Sequence, residues 1–240
     1  MAGQLPEETV RCPVVLQGWR HMTFVHWAYT PEVLQPFLPD GSRPHVVDGA
    51  AWVGLTPFLV VGARFPLAPP VPGLSTFPET NLRTYVLGSD GLDAIWFFTL
   101  EADSLATVLG ARAAFGVPYR WADMAVDVGA RITYRSTRRP PNPGPGHHIV
   151  VEPGEPLAHD EVPERDHYLT GRWRACASIA GRPAYVAVEH QPWPLHRATV
   201  HRLDEDLLAD AGLPPPEDEP LVHYSPGVDA RLGARARAAP

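Results

Sequence analysis

The chain has 240 residues, and all 20 of its basic residues are arginine, with no lysine anywhere. That excludes a side-chain amine as Schiff-base former, pyridoxal-phosphate anchor or P-loop lysine, because arginine stays protonated and can clamp an anion but not attack a carbonyl. The formal net charge of -7 is local: residues 204–219 carry seven acids and no base, and the remaining acids equal the arginines in number, so no net basic face for nucleic acid is expected.

The hydrophobic fraction of 45% supports a sizeable core, and the length suits one domain spanning residues 1–240, with a core of about 10–230 and a flexible arginine-bearing tail of about 230–240. Two cysteines, Cys12 and Cys176, are too few for a disulfide framework. The polar, acidic start and the prolines that break and follow the Gly49–Ala63 apolar run point to a cytoplasmic protein without membrane association.

In chain order, Val14–Trp19 and Met22–Tyr29 read as strands, being rich in β-branched and aromatic residues. Thr30-Pro31-Glu32 opens a short helix to about Leu38. Strands follow at Ala51–Val61, Leu82–Leu87 and Ala94–Leu100. Asp103 or Ser104 then caps a helix running to Phe115 and ending at Gly116. Further strands are expected at Ala130–Tyr134, His148–Val151, Arg172–Ile179, Ala184–Glu189, Ala198–Leu203 and Leu221–Tyr224, with a hairpin turn at Ala180–Pro183 and loops at Arg138–Gly146 and Leu213–Pro220. The acids of Asp204–Ala211 suit the positive end of a third helix. The class is α+β, mainly β, with a closed or nearly closed sheet and two or three helices.

The segment Phe77–Val86 carries the candidate chemistry. On a strand, Glu79, Asn81, Arg83 and Tyr85 share one face. An acid, an amide, a guanidinium and a phenol in line can hold a small carboxylate or carbonyl compound: arginine clamps the anion, the amide donates, and the acid exchanges a proton. A solvated face in which Glu79 and Arg83 merely pair is the simpler alternative. Tyr119 and Arg120 follow a Gly116/Pro118 break that can turn a side chain into a pocket, and Arg120 beside Tyr119 would lower the phenol's pKa. His190 precedes a tryptophan held between two prolines and can line a pocket or form a structural corner. The 11 histidines show no H-E-x-x-H or other compact ligand spacing, and Gly-x-Ser-x-Gly, Gly-x-Gly-x-x-Gly and P-loop motifs are absent. Neither a metal nor a cofactor is expected.

Taken together, His26-Trp27, GAAWVGLTPF (49–58), ETNLRTYV (79–86), Phe97-Phe98, ARAAFGVPY (111–119), HQPWPL (190–195) and HYSPGV (223–228) resemble the YqjF-like bacterial family, across about residues 10–230. The resemblance implies an acetoacetate decarboxylase-like β-barrel flanked by helices, with a small-molecule site inside and Glu79 as the acid of its pocket. Decarboxylases of that fold use paired lysines following a proline. Here Tyr119 and Arg120 stand in those places, so the Schiff-base mechanism is not implied. Three functions remain open at this stage: binding of a small anion or carbonyl compound, acid–base catalysis with Glu79 and Tyr119, or a scaffold that associates through the acidic segment or with itself as a homo-oligomer.

Overall fold

The computed structural model describes residues 9–88, 90–140, 144–179 and 182–237. Among these residues twelve strands form one sheet: β1 (Val15–Tyr29), β2 (Arg43–Pro44), β3 (Ala51–Arg64), β4 (Phe77–Leu87), β5 (Asp93–Ala102), β6 (Tyr119–Val128), β7 (Ile132–Arg138), β8 (Gly146–Pro156), β9 (Arg174–Ile179), β10 (Arg182–His190), β11 (His196–Glu205) and β12 (Leu221–Arg237). The order is β10-β9-β5-β6-β7-β8-β11-β12-β1-β3-β4-β2, and the additional pairings β10–β12 and β4–β5 join parts of the sheet that this linear order leaves apart. Following the pairings from β12 through β1, β3, β4, β5, β9 and β10 therefore leads back to β12. The β5–β6 and β5–β9 contacts are parallel, and the rest are antiparallel.

The helices are short: α1 (Pro31–Leu34), continued as a 3-10 turn over Gln35–Phe37, α2 (Leu105–Phe115), α3 (Glu164–Thr170) and α4 (Leu207–Asp210). Ser104 caps α2 by accepting from the Thr107 N–H at 3.3 Å, and Gly116 ends it in the left-handed region at φ 70°, as the sequence predicts. α3 is not predicted; Pro163 precedes it, Glu164 and Asp166 occupy its first turn, and Gly171 ends it.

Four expectations need correction. The two N-terminal strands are one strand, which passes through Arg20 and His21 with a register irregularity and a left-handed His21 at φ 51°. The third helix shrinks to one turn, because Asp204 and Glu205 still belong to β11; Glu205 instead accepts from the Leu208 N–H at 3.0 Å, and Asp210 pairs with Arg138 at 2.9 Å. The tail read as flexible is the end of β12 through Arg237, where Arg231 and Arg235 lie opposite Glu189 and Val186 of β10. Strand β6 (Tyr119–Val128) falls where no strand is predicted, in the stretch between the Gly116/Pro118 break and the strand expected from Ala130. Residues 180 and 181 of the expected hairpin lie outside the described residues; β9 and β10 on either side pair antiparallel.

β3 and β4 are buried on both faces for most of their length. One face holds a large apolar core, with Val25, Trp27, Val53, Leu55, Leu82, Ile149 and Tyr224. The other holds Met22, Phe24, Phe58, Val60 and Phe77. Double burial explains why these strands read as nearly unbroken apolar runs. It also means that any charged residue on them is desolvated.

Candidate functional site

Glu79, Asn81 and Arg83 all point from β4 into one cavity of about 660 Å³. Opposite them on β3 stand Phe58, Thr56 and Gly54 in an unbroken antiparallel register. Where the register on the other side slips between Leu82 and Arg83, β5 has the extra residue, Phe98, so the alternation of β4 is undisturbed. Tyr119, at the start of β6, reaches the same cavity and donates from its hydroxyl to Glu79 Oε2 at 2.9 Å.

Each polar group on this strand face is half satisfied by protein. Burial pushes the Glu79 pKa up from 4.5 to about 8, and the Tyr119 hydrogen bond offsets only part of that rise. Glu79 is therefore largely a neutral acid at pH 7. With Tyr119 on Oε2, its other oxygen is left toward the cavity. Thr56 donates to Asn81 Oδ1 in a short hydrogen bond, which fixes the amide flip and leaves the NH₂ as the free end. Arg83 donates from Nε to the Tyr85 hydroxyl and from Nη2 to the Leu169 carbonyl, both at 3.2 Å, and Nη1 meets no acceptor among the described residues. No acidic partner of Arg83 occurs among the described residues, so the simple Glu79–Arg83 ion pair is not formed. Three donors in a row thus face the cavity: a protonated carboxyl, an amide and a guanidinium.

Tyr85 lies on the same face but behind Arg83 rather than on the cavity wall. Its hydroxyl donates to Leu169 O at 2.6 Å and stands 2.7 Å from His26 Nε2. Since its single proton is committed to Leu169, His26 must carry its proton on Nε2. Burial and the nearby cations hold His26 well below its ordinary pKa, in keeping with a neutral ring. Gly54 makes this contact possible, because a Cβ there would stand 2.9 Å from the His26 ring and 3.2 Å from the Tyr85 hydroxyl. Tyr85 and His26 therefore position Arg83 instead of touching a ligand.

Arg120 does not join the site. Neighbouring residues on a strand face opposite ways, and with Tyr119 inward Arg120 is exposed. Its expected effect on Tyr119 is reversed as well: burial first, then the Glu79 carboxyl, raises the phenol's pKa well above 10. His190 does line the cavity. It donates from Nδ1 to Gln191 O at 2.6 Å, packs against Trp173 at 4.5 Å and Trp193 at 4.9 Å between ring centroids, and burial lowers its pKa to about 4. Among the described residues no group of three or more His, Cys, Asp or Glu could hold a metal ion.

Sequence reasoning missed Thr56, which orients Asn81, α3, which supplies Leu169 O, and the α3–β9 connection, which supplies Arg172. Arg172 lines the cavity as a buried residue, paired with Asp93 at 3.0 Å and stacked over Tyr168 at 3.3 Å from the ring centroid. The only signal for it was the Pro163-Glu164 helix start, since nothing in Gly-Arg-Trp-Arg announces that Arg172 is enclosed. The outer wall comes from α2, through Ala106, Gly110 and Ala114, and from the loop after β3, where half-exposed Val71 and exposed Phe65 bring the cavity to the surface.

Comparison with known proteins places this geometry. The model of the family DUF2071, described as an uncharacterized conserved protein, matches residues 16–229. The chain belongs to that family. A curated relative, the uncharacterized protein YqjF of Bacillus subtilis (strain 168), is 33% identical over 218 residues, covering 90% of this chain and 89% of its own. This DUF2071 chain also has the acetoacetate decarboxylase-like fold. It is similar to an acetoacetate decarboxylase-like enzyme of Sphingomonas wittichii RW1, with TM-score 0.65, 12% identity and coverage of 97% and 96% of the two chains. It is similar to the enduracididine biosynthesis enzyme MppR, solved with pyruvate, with TM-score 0.64, 16% identity and coverage of 97% and 93%. The acetoacetate decarboxylase of Legionella pneumophila gives TM-score 0.64 at 11% identity, with coverage of 100% and 92%. At these identities the likeness extends to the fold alone. No helix among the described residues is long and apolar enough to cross a membrane.

Proposed function

We propose that the closed circuit of strands is a barrel whose cavity binds a 2-oxo acid, and that Glu79 with Tyr119 moves a proton at the carbon next to its carbonyl. The observation that carries this reading is the hydrogen-bonded, desolvated Glu79 in line with two further donors. A carboxylate at Arg83, a carbonyl at Asn81 and the C3 position at Glu79 follow the same order along β4 as C1, C2 and C3 do in a 2-oxo acid. The donors match a ligand that offers only acceptors at that end. A carboxyl whose pKa stands near 8 is matched to accepting and returning a proton near neutral pH. Asn81 and Arg83 would hold the negative charge that collects on the enolate oxygen and the carboxylate. That MppR of the same fold was solved with pyruvate supports the ligand class. With no lysine in the chain, the electron sink is the hydrogen-bonded carbonyl itself, not an iminium.

The test is solvent deuterium exchange into C3 of 2-oxo acids, followed by proton NMR, together with a thermal-shift screen of oxo- and hydroxy-acids. Wild type is expected to accelerate exchange, Glu79→Gln to lose roughly 10²-fold or more of that acceleration, and Arg83→Ala to lose the acid-induced thermal shift. A shift without any accelerated exchange would reduce the function to binding without turnover. The scaffold alternative predicts a filled interior and is less favoured by an open cavity of about 660 Å³.

A further inference from the structure

The three donors occupy one strand face of a cavity whose other walls are largely apolar and aromatic. A volume of about 660 Å³ lies well within the range of pockets that enclose drug-sized ligands. A three-carbon oxo acid seated on Arg83, Asn81 and Glu79 would leave most of it empty or filled with water against apolar side chains, which is unfavourable.

The excess space is not featureless. The aromatic wall of Trp19, Phe58 and Trp193 is backed by buried Phe24, whose ring centroid lies 5.6 Å from the Arg83 guanidinium. Phe24 meets Trp193 edge-on at 5.1 Å, Trp193 lies nearly parallel to Trp19 at 5.9 Å, and Trp19 meets Phe58 edge-on at 6.2 Å. Phe58 stands directly opposite Glu79 in the β3–β4 register, so the wall ends beside the position assigned to C3. Trp193 is fixed there by its indole N–H, which donates to Thr170 O at 2.9 Å. The two prolines that flank it in the sequence limit its backbone. Flat, rigid faces of this kind favour another ring through offset or edge-to-face contact, beyond the area they bury.

We propose that the substrate of this cavity is a 2-oxo acid bearing an aromatic group on C3, with the ring against Trp19, Trp193 and Phe58 and the carboxylate on Arg83. The proposal rests on the oxo-acid reading above and adds the substituent to it. An aryl group on C3 would also acidify the C–H bond that faces Glu79, because the resulting enol is conjugated with the ring. Substrate recognition and ease of proton removal then point the same way.

Isothermal titration of wild type with pyruvate, 4-methyl-2-oxopentanoate, phenylpyruvate and indole-3-pyruvate tests this. The two aryl acids are expected to bind at least about tenfold more tightly than pyruvate, from the apolar area they bury, and more tightly than the branched aliphatic acid. Trp19→Leu should erase most of the preference for phenylpyruvate over pyruvate, read as the ratio of the two dissociation constants. Should Trp19→Leu fail to fold, competition of phenylacetate against acetate for the wild-type site gives the same comparison without a variant. Equal binding of pyruvate and phenylpyruvate, or a preference for the aliphatic acid, would overturn the aromatic assignment and leave the oxo-acid reading standing. If none of the four acids binds, the oxo-acid reading itself fails, and the substituent assignment with it.

Discussion

Replacing Glu79 by glutamine separates the titration of this group from everything else in the protein. Glutamine has the shape of the protonated acid, and its carbonyl can still accept from Tyr119. The folded state holds the Glu79 proton up to about pH 8, whereas an exposed glutamate releases it near 4.5. Between these values the folded chain binds more protons than the unfolded one, so this group's contribution to stability falls as pH rises. It is complete below about 4.5 and lost once pH has passed about 8. At 1.36 kcal/mol per pH unit the full span is about 5 kcal/mol, an order-of-magnitude figure. Wild type and Glu79→Gln should therefore be nearly equal in stability at pH 5, and at pH 8.5 the variant should be the more stable. For a chain of this size that difference corresponds to roughly 10 °C or more in Tm. Calorimetry or urea denaturation of both proteins at several pH values measures it, and other titrating groups cancel in the comparison. Parallel pH profiles for the two proteins would refute the buried, protonated carboxyl. A variant less stable than wild type by several kcal/mol at every pH would point instead to an ion pair.

Tyr119→Phe removes the one interaction that lowers the Glu79 pKa, so the pH at which the wild-type stability decline levels off, and the midpoint of C3 exchange, should both move to higher pH. His147 is held neutral by burial, with its pKa lowered from 6.5 to about 4, and its contribution is lost as pH falls through that window. His147→Asn should flatten the acid limb of the stability curve by up to about 3 kcal/mol between pH 6.5 and 4, as read by urea denaturation. Gly54→Ala places a Cβ against His26 and the Tyr85 hydroxyl, and should cost about 1–3 kcal/mol and weaken oxo-acid binding through displacement of Arg83. Unchanged stability and affinity in that variant would show that the His26–Tyr85 contact does not hold the site.

The parts of the fold legible in the sequence are those governed by local rules. Ser104 and Gly116 bound α2 as written, and period-two alternation put Glu79, Asn81 and Arg83 on one face. Pairing partners were not legible, because they depend on residues far apart in the chain. Nothing in Phe77–Val86 shows that β3 and β5 cover both its edges, and so nothing separates a solvated Glu–Arg pair from a desolvated donor array. Arg120 illustrates the same limit from the other side: chain adjacency to Tyr119 suggested cooperation, and strand geometry sends the two side chains apart. The C-terminal arginines resembled a frayed tail by composition, yet they have β10 to pair with. Helix α3 was missed because its seven residues mix charge and apolarity without a full period to count.

A nearby arginine would ordinarily ionise a carboxyl, so the neutrality of Glu79 needs a reason. Arg83 stands four positions further along the strand, and its guanidinium donates to the Tyr85 hydroxyl and the Leu169 carbonyl instead of to Glu79. Burial is the largest influence on Glu79, raising its pKa from 4.5 to about 8, an effect of about 5 kcal/mol. Desolvation wins, and Asn81, as a neutral spacer, keeps it so. Binding would strengthen the arrangement: an anion on Arg83 neutralises the one cation on that strand face and brings negative charge closer to Glu79, and both effects favour the protonated acid. The C3 proton would then pass to the minority of Glu79 that is ionised, whose carboxylate takes it from carbon, leaves the enolate held by Asn81 and Arg83, and returns a proton to C3. A lysine in place of Tyr119 would undo the neutrality of Glu79, since an ammonium within hydrogen-bond distance would ionise the carboxyl at neutral pH. A phenol can keep the hydrogen bond without bringing a charge.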